Sequence, residues 1–486
     1  MLKNPSSQRL RPPPSAPGEA PIPMGIVLAI MFLHMFLGVL MKKVPGVSTW
    51  HAFGSLVVGV IVACRCRRPI TVAYVAAYVS GIEVIWRMTK AKVFTEWGKL
   101  IISIFVIIAV VRFSRAKRTW LPIVYFVLLI PACLIIIPEL PYEDLHEAIP
   151  YTMSGPFALM ACMCYFSGVK ITPTDCLRVL LGVLIPIIAL SAIVAFTTLT
   201  AADFDFSVNV RNVKDLSLTG GFGPNQVSST LGLGVLAAFL IVMHERTPAA
   251  YKPVFFAITA GLATQAAMTF SRTGLYLAGG AIVTACFFYF GDPKMRPRIL
   301  LFSIAMALAV VIILPILDNY TSGALMDRFK SFDTTGRDSI LLADIMAFLS
   351  QPAFGLGVDQ GRIFRNAYYG TLMESHVEWS RLMAEHGVFG LAALLILIYL
   401  GLRNFAAAQT LRARAIVASF IVFTFLYTSS CGMRLALASF IYGLACATFQ
   451  FGPPRRRPRP PAPRTAMFSA SPQVTVLPTG MPGVSR

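Results

Sequence analysis

Long apolar runs, broken by short polar or basic clusters, set the pattern of this chain. Mostly apolar windows recur at roughly 24–41, 50–64, 69–88, 98–113, 120–138, 150–168, 177–197, 225–243, 253–270, 273–291, 298–317, 388–403, 414–430 and 433–450. Runs of about 18 residues are long enough to cross a bilayer as a helix. Hydrocarbon supplies no partner for a backbone N–H or C=O, so such runs must be helical. The pattern predicts an all-α polytopic transmembrane protein of about 12–14 spans. Some neighbours, such as 253–270 and 273–291, are joined by only a tight polar turn.

The rhythm lapses over 318–387, which predicts one large loop outside the apolar layer. Within it Ile340, Leu341, Leu342, Ile345, Met346 and Leu349 recur at helical spacing, so the loop should be partly helical and lie on the membrane surface. The ends, 1–23 and 451–486, are rich in Pro, Ser and basic residues and cannot build a core. They read as disordered tails around a transmembrane domain at 24–450. The first span lacks a small-residue cleavage site and reads as a retained anchor.

Composition agrees with the pattern. The 486 residues are 56% hydrophobic and 13% charged, against about 25% charged in soluble domains. The net charge of +20 matters mainly through its distribution. Basic clusters follow the even-numbered spans: 65–68, 114–118, 244–246, 294–298, 412–415 and 453–460. By the positive-inside tendency these mark the cytoplasmic side, with both termini there. Lys42, Lys43, Lys90 and Lys92 are the exceptions. The positive charge faces anionic membrane lipid and requires no nucleic acid. Of the nine cysteines, Cys64/Cys66 and Cys162/Cys164 lie too close for ordinary disulfides and lack partners at metal spacing. Neither a disulfide framework nor a metal site is expected.

The loops on the other, outer face carry the candidate chemistry. They gather Arg211, Arg272, Arg328, Arg337 and Arg365, where the topology rule disfavours arginine. The guanidinium fork grips phosphate in bidentate fashion. Arg272 sits in the turn SRTG (271–274), where it either snorkels to the membrane rim or binds an anion. In GGFGPNQVSSTLGLG (220–234), Pro224 can start a helix, with Asn225 and the helix amides facing outward. A helix start with small residues for close packing accounts for the same piece. It has no GK[ST] and no strand before it, so it is neither a Walker motif nor a dinucleotide fingerprint.

The segment ESHVEWSRLMAEHGVFGL (374–391) concentrates ionisable groups. Ser375-His376-Val377-Glu378 fits a capping box, with Ser375 as N-cap. His376 would then be the first helical residue, kept neutral by the helix dipole and fit to act as a base. Glu378, Arg381 and Glu385 fall at i, i+3 and i+7 and read as a solvated ionic face. His386, beside Gly387, reads as a cap or packing residue. Glu83 and Arg87 form an i, i+4 pair near the outer end of a span; a functional site and a structural salt bridge both fit. Arg434 has the same two readings.

Three features in this order resemble the O-antigen ligase and O-antigen polymerase (Wzy-like) superfamily of membrane glycosyltransferases: GFGPN, the SRTG turn and SHVEWSRLMAEHGVFG. Val377 stands where that family usually has Asn, and the loop between Arg272 and His376 is long. The resemblance implies a bacterial inner-membrane enzyme with its active site on the periplasmic face. It implies a donor glycan on undecaprenyl diphosphate, a lipid A-core or other glycan acceptor, and no cofactor or metal. Arg211 and Arg272 would hold the diphosphate, and His376 would activate or position the acceptor hydroxyl. Asn225, Arg337, Arg87 and Glu83 are further candidate substrate-binding residues. Ligase and polymerase remain open. A lipid-linked oligosaccharide flippase or transporter and a non-catalytic scaffold are the other classes, though a transporter should show midplane charges and repeats.

Overall fold

The computed structural model describes residues 22–113, 120–200, 216–330, 337–370 and 375–451, apart from the side chains of Ser217 and Arg337. Arg211, the 114–118 basic cluster, Glu374 and nearly all of both tails lie outside these residues.

Every predicted apolar window corresponds to helix. In order, the helices are α1 (Met24–Lys43), α2 (Pro45–Arg65), α3 (Ile70–Met88), α4 (Trp97–Arg112), α5 (Leu121–Val127), α6 (Ile130–Ile136), α7 (Tyr142–Phe166), α8 (Pro173–Thr200) and α9 (Pro224–Met243). They continue as α10 (Lys252–Ala267), α11 (Thr273–Phe290), α12 (Arg296–Tyr320), α13 (Ala324–Lys330), α14 (Arg337–Ser350), α15 (Gln360–Tyr369), α16 (Glu378–Ala407), α17 (Leu411–Thr428) and α18 (Ala436–Ala445). Among the described residues, nine helices are long and apolar enough to cross a membrane. The described strands are β1 (Lys170–Ile171) and β2 (Thr448–Phe449), a short parallel pair.

Three departures from the predicted pattern have local causes. The 120–138 window is two helices, because Pro131 opens α6 and has no N–H to carry the ladder on from α5. α7 starts before its predicted span, with Glu143 and Asp144 in its first turn, where carboxylates suit the positive end of the dipole. The 388–403 span extends back to Glu378 across a kink at Gly387, at φ 58° and ψ −138°. That backbone suits only glycine, and a Cβ there would stand 2.5 Å from the Pro352 carbonyl oxygen.

Helices that gain nothing from leaving lipid associate through close packing of small residues. α9 and α11 cross where a Cβ on Gly274 would lie 1.9 Å from the Ser228 carbonyl oxygen, and one on Gly232 would lie 2.3 Å from that of Gly274.

One end of the bundle is tied by the basic clusters. Arg68 pairs with Asp175 (2.7 Å), and Arg412 bridges Asp292 (2.9 Å) and Glu245. The other end carries the predicted chemistry. Two of the exceptional lysines have partners there: Lys42 donates to the Gly220 carbonyl (2.8 Å), and Lys43 lies 4.9 Å over the Phe196 ring.

The large loop is partly helical, as predicted, through α13, α14 and α15. The apolar stripe of α14 behaves otherwise than packing alone suggests. Ile340, Ala343, Asp344 and Ala347 are buried, while Leu341, Leu342, Ile345, Met346 and Leu349 stay exposed. The stripe thus remains available to a membrane surface.

Candidate active site

The predicted motifs meet around the segment Ser429–Leu435, which links α17 to α18. Its backbone and two of its side chains are the common partners. The Cys431 thiol donates to the Asn225 carbonyl (3.8 Å). The Gly432 N–H donates to the His376 carbonyl (3.1 Å), and the Met433 N–H to Glu378 Oε2 (3.1 Å). The Met433 carbonyl accepts from Lys99 Nζ (3.3 Å) and the Arg434 carbonyl from Arg87 Nη2 (2.9 Å). The Ser429 hydroxyl accepts from Trp379 Nε1 (2.8 Å).

GFGPN and SRTG form one unit. Pro224 opens α9, as predicted. Asn225 Oδ1 accepts from the hydroxyls of Ser271 (2.9 Å) and Thr273 (3.4 Å). Ser228 Oγ donates to the Ser271 carbonyl (2.8 Å) and accepts from the Gly274 N–H (3.0 Å). Arg272 is therefore displayed at the N-cap of α11 by bonds on both sides of it, and it is only partly buried. Phe270 just before it holds φ 53°, a left-handed conformation costly for a bulky residue. Arg328 Nε donates to the Phe270 carbonyl (3.4 Å), so a second loop arginine braces this turn.

The His376 segment differs from its predicted local structure. Residues 375–377 lie outside any helix and α16 starts at Glu378, with the extended Val377 as N-cap and no side-chain cap. The capping box does not form because both partners are engaged elsewhere. Ser375 Oγ donates to Asp344 Oδ2 (3.2 Å), and Glu378 pairs with Arg381 (2.6 Å) while accepting from Met433. His376 thus lies before the helix, and the dipole argument for its neutrality does not apply. Nor is the Glu378 face solvated: Glu378 and Glu385 are buried. The Glu378–Arg381 pairing itself is as predicted. His386 is buried, in keeping with a packing residue.

Asp344 organises this region. Its other oxygen pairs with the Arg365 guanidinium, and its Oδ2 also accepts from the Ser380 hydroxyl (2.6 Å). Both members of the pair are 1% exposed. Arg365 is therefore a structural partner within the loop and does not join the arginines offered to an anion. Arg337 begins α14.

Glu83 and Arg87 are both part of the assembly. Their pair (2.7 Å) is completed on the carboxylate side by the Ala436 N–H at the start of α18 (2.7 Å). Behind them Lys99 is buried against Glu96, which accepts from Ser154 (2.8 Å). Glu83, Arg87 and Phe222 of the glycine-rich piece line a cavity of about 230 Å³. Lys99 was within reach of sequence reading, as a lone lysine inside an apolar span. Nothing local marked Asp344, and in the 429–435 segment Arg434 alone stood out. Among the described residues, no three His, Cys, Asp or Glu side chains come together as a metal site.

The arrangement offers chemistry at one end of an apolar bundle. A displayed arginine, a histidine carbonyl-bonded to the central segment and an acid–base pair share one backbone frame. No curated protein matches the chain significantly. A family model described as O-antigen ligase (Wzy_C) does match, over residues 254–395. The match spans both the Arg272 turn and His376, and stops short of Asn225 and the Glu83–Arg87 pair. Over residues 254–395, from α10 through the large loop into α16, the chain is thus similar to the O-antigen ligase family.

Proposed function

We propose that this protein is an inner-membrane glycosyltransferase that moves a glycan from undecaprenyl diphosphate to a sugar hydroxyl on the periplasmic face. The observation that carries the reading is the convergence of the Asn225, Arg272 and His376 segments, directly or through their neighbours, on Ser429–Leu435. In the reaction, the anomeric C–O bond to diphosphate breaks and a C–O bond to the acceptor forms, with inversion. The acceptor proton passes to His376 or to water beside it. The diphosphate leaves as a stable anion, so the main demand on the protein is cationic stabilisation of the departing charge.

Arg272 is assigned to the diphosphate, with Arg211 as its partner. Asn225 is assigned a positioning role, because its side-chain oxygen is already used by Ser271 and Thr273. The basic end of the bundle faces the cytoplasm in this reading, which puts both termini there. A site built at one end of the bundle fits an enzyme better than a transporter with a midplane site.

The test is transfer in membranes carrying His376→Ala, with protein level verified. Loss of transfer is expected, and full retention sinks the assignment. The product from a null strain then separates two acceptors. Polymer left on the carrier lipid marks a ligase, and accumulated single repeats mark a polymerase.

A further inference from the structure

The cavity beside the Glu83–Arg87 pair has a chemistry of its own. Trp86, Phe94, Trp97 and Phe222 supply aromatic surface, and Glu83 and Arg87 supply the charged groups. Phe94 and Trp97 meet edge to face at 5.3 Å. Phe94 is 53% exposed, although Trp97 is 8% exposed. A buried ring and an open one therefore meet in the wall.

The wall also offers hydrogen-bond donors. Among the described residues, Trp97 Nε1–H and Arg87 Nε–H are buried without a protein acceptor. Buried donors of this kind are rare and costly unless something accepts from them. Glu83 has both oxygens occupied by protein donors, so it fixes Arg87 in the cavity wall, and the two buried N–H groups belong to residues that line the cavity. An apolar ring face beside hydroxyl acceptors is the surface of a pyranose. Phosphate or a polyprenyl chain suits the site less, since one has no apolar face and the other no acceptors. At about 230 Å³ the cavity is smaller than the roughly 300 Å³ at which drug-sized sites begin, which fits one ring.

We propose that this cavity is a saccharide subsite that seats a single sugar ring against Phe94 and Trp97, with Arg87 and the Trp97 indole donating to its hydroxyls. The ring can belong to the donor glycan or to the acceptor, and as a role in transfer the subsite rests on the function proposed above.

The test uses the full-length protein in nanodiscs, titrated with methyl glucoside, methyl rhamnoside and methyl N-acetylglucosaminide, with binding followed by saturation-transfer NMR. At least one glycoside should bind the parent protein. Phe94→Ala, at an exposed ring whose loss empties no core, should weaken binding at least tenfold, and Trp97→Phe, which keeps the ring and loses the N–H, several-fold. His376→Ala should bind as the parent does. No binding by any of the three, or equal binding by Phe94→Ala, overturns the subsite. If binding behaves as expected and the parent protein transfers no glycan, the proposed function fails while the subsite stands. In the transfer assay, a raised KM of Phe94→Ala for the lipid-linked donor assigns the ring to the donor, and a raised KM for the acceptor assigns it there.

Discussion

Replacing Asp344 by Asn tests how the His376 segment is held. Asp344 and Arg365 are each 1% exposed, and the same carboxylate accepts from Ser375 and Ser380, which flank His376. Removing the charge leaves the Arg365 guanidinium buried without the carboxylate that balances it. Breaking a buried pair from one side costs about 3–5 kcal/mol. That is a large part of a typical stability of about 5–15 kcal/mol. Asp344→Asn should therefore lower the thermal midpoint in detergent by a clear margin and reduce transfer. The double variant Asp344→Leu/Arg365→Met removes both charges and should recover most of the stability, since apolar replacement of a whole buried pair is often neutral or better. It does not restore the acceptor for Ser375 and Ser380, so transfer should stay at least tenfold down, about 1.4 kcal/mol in the barrier. An unchanged midpoint in the single variant would refute the energetic reasoning. Full transfer by the double variant would refute the positioning role of Asp344.

Other outcomes follow from particular contacts. Gly274→Ala should abolish folding or transfer, because its Cβ would stand 1.9 Å from a carbonyl oxygen of α9; Gly279→Ala on the same helix meets nothing within 4 Å and should behave as the parent. Comparing expression and monodispersity of the two checks this. Arg272→Lys keeps the charge and loses the fork, so transfer should fall more than tenfold with folding unchanged if the arginine grips diphosphate; equal kcat/KM for the lipid-linked donor would count against it. At the basic end, burial, together with the Arg246 and Lys252 charges, holds the His244 imidazole down to about 4 from an ordinary 6.5. A depressed histidine contributes stability that is complete above pH 6.5 and is lost as pH falls from there toward 4. His244→Gln should flatten thermal stability across that window, and a profile identical to the parent's would remove His244 as its source.

The length of each apolar run, and therefore the helical membrane-spanning class, was legible because lipid leaves an apolar backbone no alternative to the helix. Turn chemistry was legible at Pro224, which opens α9 as read from the sequence, whereas the Gly387 kink in α16 was not foreseen. The spacing of Glu378 and Arg381 announced their pair, as did that of Glu83 and Arg87. Their surroundings were not legible. Arg87 and the Arg434 carbonyl meet across 347 positions, and the buried Glu378 accepts from the Met433 N–H across 55. The predicted cap at Ser375 was plausible locally and lost to Asp344, 31 positions away. In a chain whose apolar faces are all content in lipid, hydropathy says that helices form and not which faces touch. Those contacts, made by small residues at crossings such as Gly232 and Gly274, bring Asn225, Arg272 and the His376 segment to one end of the bundle. Only packing could decide that, because each bond there joins groups whose partners are remote along the chain.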